Sequence, residues 1–174
     1  MGPIVGIEFE RMTLRDALDL AVLIEEEAAD RYRELAEQLA THDTPDVAAF
    51  FARMARIEDH HRNELLERRR TMFGNAPSTV QRRQIFDVEA PAYDEARAFM
   101  GVRQALETVL ASEVKAYDFF NEALPRVKDP ELQALFQQLR DEEVHHQSLV
   151  KAELARCPEK SDDSEAYADD PVAQ

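Results

Sequence analysis

The chain has 174 residues, about one domain's worth, and can bury a single core without cross-links. Its 36 Asp and Glu against 21 Lys and Arg give a formal net charge of −15, which excludes the basic surface needed for nucleic-acid backbone or an anionic membrane face. The single cysteine, Cys157, excludes an internal disulfide framework and any Cys-pair metal site, and 4 glycines with no tryptophan do not suit a turn-rich all-β fold.

From the N-terminus, MGPIVGIEFE lacks the basic and apolar regions of a secretory signal, and no apolar run approaches bilayer length. A cytoplasmic address is expected. Thr13 with Asp16 reads as a capping arrangement, and helical periodicity then runs to about Ala40. Thr44-Pro45 supplies a cap and a first-turn proline for a second helix, which runs to about Met72 before Gly74. The stretch from Phe73 to Gly101 holds Pro77 and Pro91, with short helical possibilities at 79–86 and 94–100, and suits a long crossover. A third helix begins near Val102 and ends between Leu124 and Val127, where Pro125 disturbs its last turn. Asp129-Pro130 repeats the cap-plus-proline signal, and a fourth helix runs to about Arg156 before Pro158. Each helix is about 40 Å long at 1.5 Å per residue. Short loops join the first to the second and the third to the fourth. The expected fold is all-α: two helical hairpins forming one four-helix bundle over residues 1–156. Residues 157–174 form a tail in which Glu159 to Asp170 carries six acids and one lysine without a periodic apolar face, and is expected to be disordered.

Alternating strides of four and three follow the buried seam of each helix. The first seam is Leu14, Leu18, Ala21, Glu25, Ala28, Tyr32, Leu35, Leu39; the second is Val47, Phe51, Met54, Glu58, His61, Leu65, Arg68, Met72. The third is Val102, Leu106, Val109, Glu113, Ala116, Phe120, Ala123, Val127; the fourth is Leu132, Phe136, Leu139, Glu143, His146, Val150. Each seam carries one glutamate near its midpoint, so antiparallel packing brings all four to one level. The seams also match pairwise: Glu-x2-Ala-x3-aromatic in the first and third, and Phe-x2-apolar-x3-Glu-x2-His in the second and fourth. The chain is an internal duplication.

Four buried carboxylates at one level cannot stay ionised without counter-charge, because desolvation costs several kcal/mol per unpaired charge and repulsion adds to it. The same faces offer two imidazoles and no lysine. Two divalent cations would cancel the four carboxylates, and Glu-x-x-His spacing puts Glu58 with His61, and Glu143 with His146, on one face each. Mixed carboxylate and imidazole donors suit iron or manganese. A lone Glu-x-x-His is common by chance in so acidic a chain; the shared register of six positions gives it weight. Glu142, His145 and His60 lie about 100° round the helix from the seam and read as surface or supporting positions. Glu26 and Glu27 read as solvent-facing neighbours of Glu25, and the methionines as packing. Tyr32 reads first as a packed core tyrosine whose hydroxyl needs a partner, a ligand carboxylate being the obvious one, and second as a redox group.

At EEEAADRY (Glu25 to Tyr32), EDHH (Glu58 to His61), EVKAYDFF (Glu113 to Phe120) and EVHH (Glu143 to His146), the sequence resembles the rubrerythrin-like branch of the ferritin-like superfamily, over about residues 13–156. The resemblance implies a ferritin-like bundle holding two iron ions, with manganese or a mixed pair as alternatives. It implies that Glu58 and Glu143 bridge the metals, that Glu25 and Glu113 are terminal ligands, and that His61 and His146 each bind one metal. It further implies reduction of hydrogen peroxide or O2 with Glu58, Glu143 and Tyr32 at the reacting centre, and a homodimer. Rubrerythrins proper usually append a rubredoxin-like domain with two Cys pairs; with one cysteine here, the expected electron donor is a separate protein. Ala116 stands where the family carries an extra carboxylate, and Phe120 where a tyrosine is expected. The alternatives are a ferroxidase or iron-handling protein, a non-catalytic metal-binding bundle, and a hydroxylase, which would need an exposed apolar face.

Overall fold

Thr13 opens the first helix as its spacing to Asp16 predicts. The Thr13 N–H donates to Asp16 Oδ2 at 3.1 Å, and the Asp16 N–H donates to Thr13 Oγ1 at 3.2 Å. In this computed structural model, which describes residues 8–40, 45–78, 80–81 and 101–157, that helix is α1 (Leu14–Ala40). It is followed by α2 (Pro45–Phe73), α3 (Val102–Ala123) and α4 (Pro130–Leu154). No strand occurs among the described residues, and the architecture is an all-α, ferritin-like four-helix bundle. The expected cap at Thr44, the short helix at 94–100, all of the one at 79–86 but residues 80 and 81, and the acidic tail from Pro158 lie outside the described residues.

The other helix ends follow their punctuation. Gly74 takes the left-handed conformation (φ 58°) and donates its N–H to the Arg70 carbonyl at 2.9 Å, closing α2. α3 gives way at Pro125 to a 3-10 turn over Leu124–Arg126. Asp129 caps α4 by accepting from the N–H groups of Glu131 and Leu132 at 2.9 and 3.1 Å. One element was not expected: a 3-10 turn at Phe9–Arg11. It plugs one end of the bundle with Phe9, whose ring meets Phe119 and Phe136 edge-on at 5.5 and 6.2 Å.

α1 packs along α2, and α3 along α4. The core they enclose falls into two apolar clusters. One gathers Leu18, Ile24, Leu65, Phe120, Phe136 and Leu139 with the Phe9 plug. The other gathers Ala28, Tyr32, Phe51, Met54, Val109 and Val150. On α1 the clusters part between Ile24 and Ala28, on α2 between Ala55 and Leu65, and on α4 between Leu139 and Val150. Each gap holds the seam glutamate of that helix. Met72, placed on the second seam by its spacing, is instead exposed, and Phe73 packs against the first cluster in its place. α2 stops at that point, so its final turn is free to turn a different side chain inward.

Candidate metal centre

All six seam positions come together in the layer between the two clusters. Glu25, Glu58, Glu113, Glu143 and His146 are buried, and His61 is half-buried. Glu58 lies between the two imidazoles: Oε1 is 3.4 Å from His146 Nδ1, and Oε2 is 3.8 Å from His61 Nδ1. His146 Nδ1 also lies 3.3 Å from Glu113 Oε2 and 3.9 Å from Glu143 Oε2. On the other side, His61 Nδ1 is 3.9 Å from Glu25 Oε2. The two rings stack nearly parallel, with centroids 5.5 Å apart.

Helix geometry produces this convergence. Glu58 and His61, like Glu143 and His146, are three residues apart and share a helix face. The neighbouring residues hold the frame. Arg33 of α1 pairs with Asp59, which follows Glu58 on α2, and also reaches Asp30 at 2.7 Å. On the opposite hairpin, Gln147 of α4 donates to the Glu113 carbonyl of α3 at 3.3 Å. Each hairpin thus has a cross-link at the level of the layer.

Electrostatics show what the layer lacks. Burial is the largest influence on Glu25, raising its pKa from 4.5 to about 7; a carboxyl contact with Glu58 and the charge of His146 partly oppose it, while Glu142 and Glu113 add to it. Burial also pulls His61 below its ordinary value, against the attraction of Glu142. His146 is pulled down by burial as well, but the Glu113 carboxylate and the charges of Glu25 and Glu142 outweigh that and hold it above the ordinary value. Both carboxylate oxygens of Glu113, both nitrogens of His146 and Nδ1 of His61 are shut off from solvent and, among the described residues, have no partner in hydrogen-bonding geometry. Leaving such groups unmatched costs about 1–3 kcal/mol each, more for charged ones. Carboxylate oxygens and imidazole nitrogens are the donors that iron and manganese prefer. The layer therefore fits a pair of divalent cations.

Three sets of side chains bring one ligand atom each within 4.8 Å of one another: Glu113, Glu143 and His146; Glu58, His61 and His146; and Glu25, His61 and Glu142. The third set contains a residue that the seam reading placed off the site. Glu142 is half-buried and reaches the His61 side of the layer from α4. Its signal was present in the sequence: Glu142 is four residues before His146, also a same-face spacing. His60 and His145 are exposed, as expected, with His60 Nε2 3.5 Å from Glu64. Glu26 and Glu27 are half-buried rather than fully solvent-facing. Tyr32 is buried with its ring stacked on Phe51, centroids 6.0 Å apart, and among the described residues its hydroxyl makes no hydrogen bond to a ligand carboxylate. Ala116 is wholly buried.

The rubrerythrin family model matches residues 16–154, nearly the whole bundle and all six layer positions. The chain belongs to the rubrerythrin family. The centre typical of that family is a di-iron carboxylate, and the Glu and His clusters of this rubrerythrin domain could hold one. The fold is similar to that of an uncharacterized conserved protein from Magnetospirillum magnetotacticum MS-1, with 28% identity and a TM-score of 0.72 over 86% of this chain and 99% of that one. It is also similar to a hypothetical protein from Pyrococcus furiosus, with 21% identity and a TM-score of 0.62 over 86% and 95% of the two chains. The second likeness speaks for the fold alone. No curated protein matches the chain. Among the described residues of this rubrerythrin domain, no helix is long and apolar enough to cross a membrane.

Proposed function

We propose that this rubrerythrin-family chain is a di-iron oxidoreductase that reduces hydrogen peroxide in preference to O2, with electrons from a separate donor protein. The observation that carries the reading is the position of Glu58, whose two oxygens face the two imidazoles from one carboxylate. In this reading Glu58 and Glu143 would serve both metals, Glu25 and His61 would hold one of them, and Glu113 and His146 the other. When bound, a pair of irons supplies the two electrons that peroxide reduction requires, one peroxide taking two electrons and two protons to give two waters.

The chain's own part is to fix the spacing, supply neutralising carboxylates and keep the layer dry. The two apolar clusters close it from either end of the bundle, which strengthens electrostatic interactions inside. Glu25 holds its proton to about pH 7 in the metal-free chain, so metal uptake displaces a proton there at neutral pH. Tyr32 packs beside the layer, and its hydroxyl is proposed to assist electron delivery. Tyr32→Phe separates the two roles: a purely packing side chain leaves turnover unchanged, whereas a redox role lowers it.

A second reading, oxidation of incoming Fe2+ followed by its release, is favoured by Glu142 on the more accessible side of the layer. Single-turnover mixing of the iron-loaded, reduced protein decides between the two. Oxidation faster with peroxide than with O2, with iron kept at two per chain, supports the peroxidase. Release of oxidised iron, or accumulation of many irons per chain, overturns it in favour of ferroxidation.

A further inference from the structure

The outer edge of the metal layer lies between α2 and α4. A small cavity of about 60 Å³ opens there, lined by His61, Glu64, Leu65, Arg68, Gln138 and Glu142. It is large enough for a cation with a water or two. One of its walls is His61, whose Nδ1 is buried without a hydrogen bond among the described residues while the side chain as a whole stays 18% exposed. Beyond His61 lies Glu25, 3.9 Å away and almost wholly buried. Gln138 donates to Glu142 Oε1 at 3.0 Å and holds that carboxylate over the opening.

We propose that Glu142, with His61 and Glu25, forms an outer divalent-cation position through which metal reaches the layer between α2 and α4. The three present ligand atoms within 4.8 Å of one another, and two carboxylates with one imidazole are a donor set suited to Fe2+ or Mn2+. Two of the three are also members of the inner layer, so a cation held there moves inward by exchanging Glu142 for Glu58, without an intervening apolar barrier. Glu64 adds a second carboxylate to the rim against the one guanidinium of Arg68, leaving the opening attractive to cations.

The duplication singles out this carboxylate. Glu142 precedes the α4 ligand Glu143; the corresponding residue before Glu58 on α2 is Ile57, which packs against the second apolar cluster. One half of the repeat is sealed with a hydrocarbon side chain where the other carries a ligand. The Glu142 charge bears on both His61 and Glu25, in keeping with their closeness.

The proposal rests on the layer being a metal site, and the test keeps the two apart. Metal-free full-length protein and its Glu142→Gln variant are titrated with Co2+ by equilibrium dialysis, and filling is followed by stopped-flow visible absorption. Expected for the unaltered chain are two tight equivalents, since the outer position shares His61 and Glu25 with an inner one. Glu142→Gln, which keeps the shape and the Gln138 contact, keeps both tight equivalents and fills them roughly tenfold more slowly. Filling at the unaltered rate overturns the outer position. Loss of a tight equivalent in the variant, with an unchanged metal-free melting temperature, also overturns it, since Glu142 would then belong to the inner pair. Absence of tight Co2+ binding in the unaltered chain overturns the metal reading of the layer itself.

Discussion

The two imidazoles of the layer come from matching positions of a duplicated sequence, yet they sit in unequal surroundings. His146 is 1% exposed and meets Glu58, Glu113 and Glu143; His61 is 18% exposed and faces the cavity at the rim. One turn on, both seams continue with a buried residue, Val150 on α4 and Leu65 on α2. The halves differ instead one residue before the seam glutamate, where Ile57 packs against an apolar cluster and Glu142 lines the rim cavity beside His61. Duplication thus gave the bundle one enclosed position and one that communicates with solvent. A site that must take up small molecules or metal while staying dry needs that division.

Four measurements would break or sharpen this contrast. The largest effect is expected from Glu58→Ala, which removes a carboxylate contacting both imidazoles: metal content should fall from two per chain to none by elemental analysis. Retention of both metals would show that Glu58 is not shared.

Next comes the pH dependence of the metal-free protein. An unfolded Glu25 ionises near its ordinary 4.5, but folded it keeps its proton to about 7. The folded chain binds more protons across that window, so its stability should fall as pH rises from about 4.5 to about 7. The fall is on the order of 3 kcal/mol. Glu142 and Glu113 reinforce the shift, and Glu58 and His146 oppose it. Denaturant midpoints across this range should show the decline in metal-free protein and lose most of it in metal-loaded protein or in Glu25→Gln. A flat profile for the metal-free chain contradicts the buried, unneutralised Glu25.

The enclosed and accessible positions should also differ in affinity. His146→Ala is expected to weaken Co2+ binding about tenfold more than His61→Ala, since water can replace a ligand more readily at the open side; tenfold corresponds to about 1.4 kcal/mol. Equal losses would mean that the exposure difference has no consequence for binding. The smallest effect is assigned to Arg33→Ala, which breaks the α1–α2 clamp at Asp59. Because Arg33 and Asp59 are partly exposed, it should cost no more than about 1 kcal/mol in thermal denaturation and leave metal stoichiometry intact.

Much of this was legible along the chain because helices impose a fixed geometry on sequence. Thr13 with Asp16, Asp129-Pro130 and Gly74 satisfy helix ends through local hydrogen bonds, and local bonds are written in short spacings. The seam positions Glu25, Glu58, Glu113 and Glu143 were readable because an interruption in an apolar stripe can be buried only at one level of an antiparallel bundle. What the seam reading did not single out was Glu142, although it stands four residues before His146. A residue 100° off the seam can lie in solvent or reach round to a neighbouring helix, and the choice depends on how α2 and α4 stand relative to each other. The Phe9 plug escaped for a similar reason: three residues carry no period, and their place is set by the rings of Phe119 and Phe136 at the bundle's end.

The sequence by itself determined that four helices would bring four carboxylates and two imidazoles to one height, since each apolar seam is interrupted near its midpoint. Only the tertiary structure decided that the two halves are not equivalent. Exposure, the shared contacts of Glu58 and the approach of Glu142 are distances between helices far apart in the chain, set by side-chain packing rather than by any local spacing.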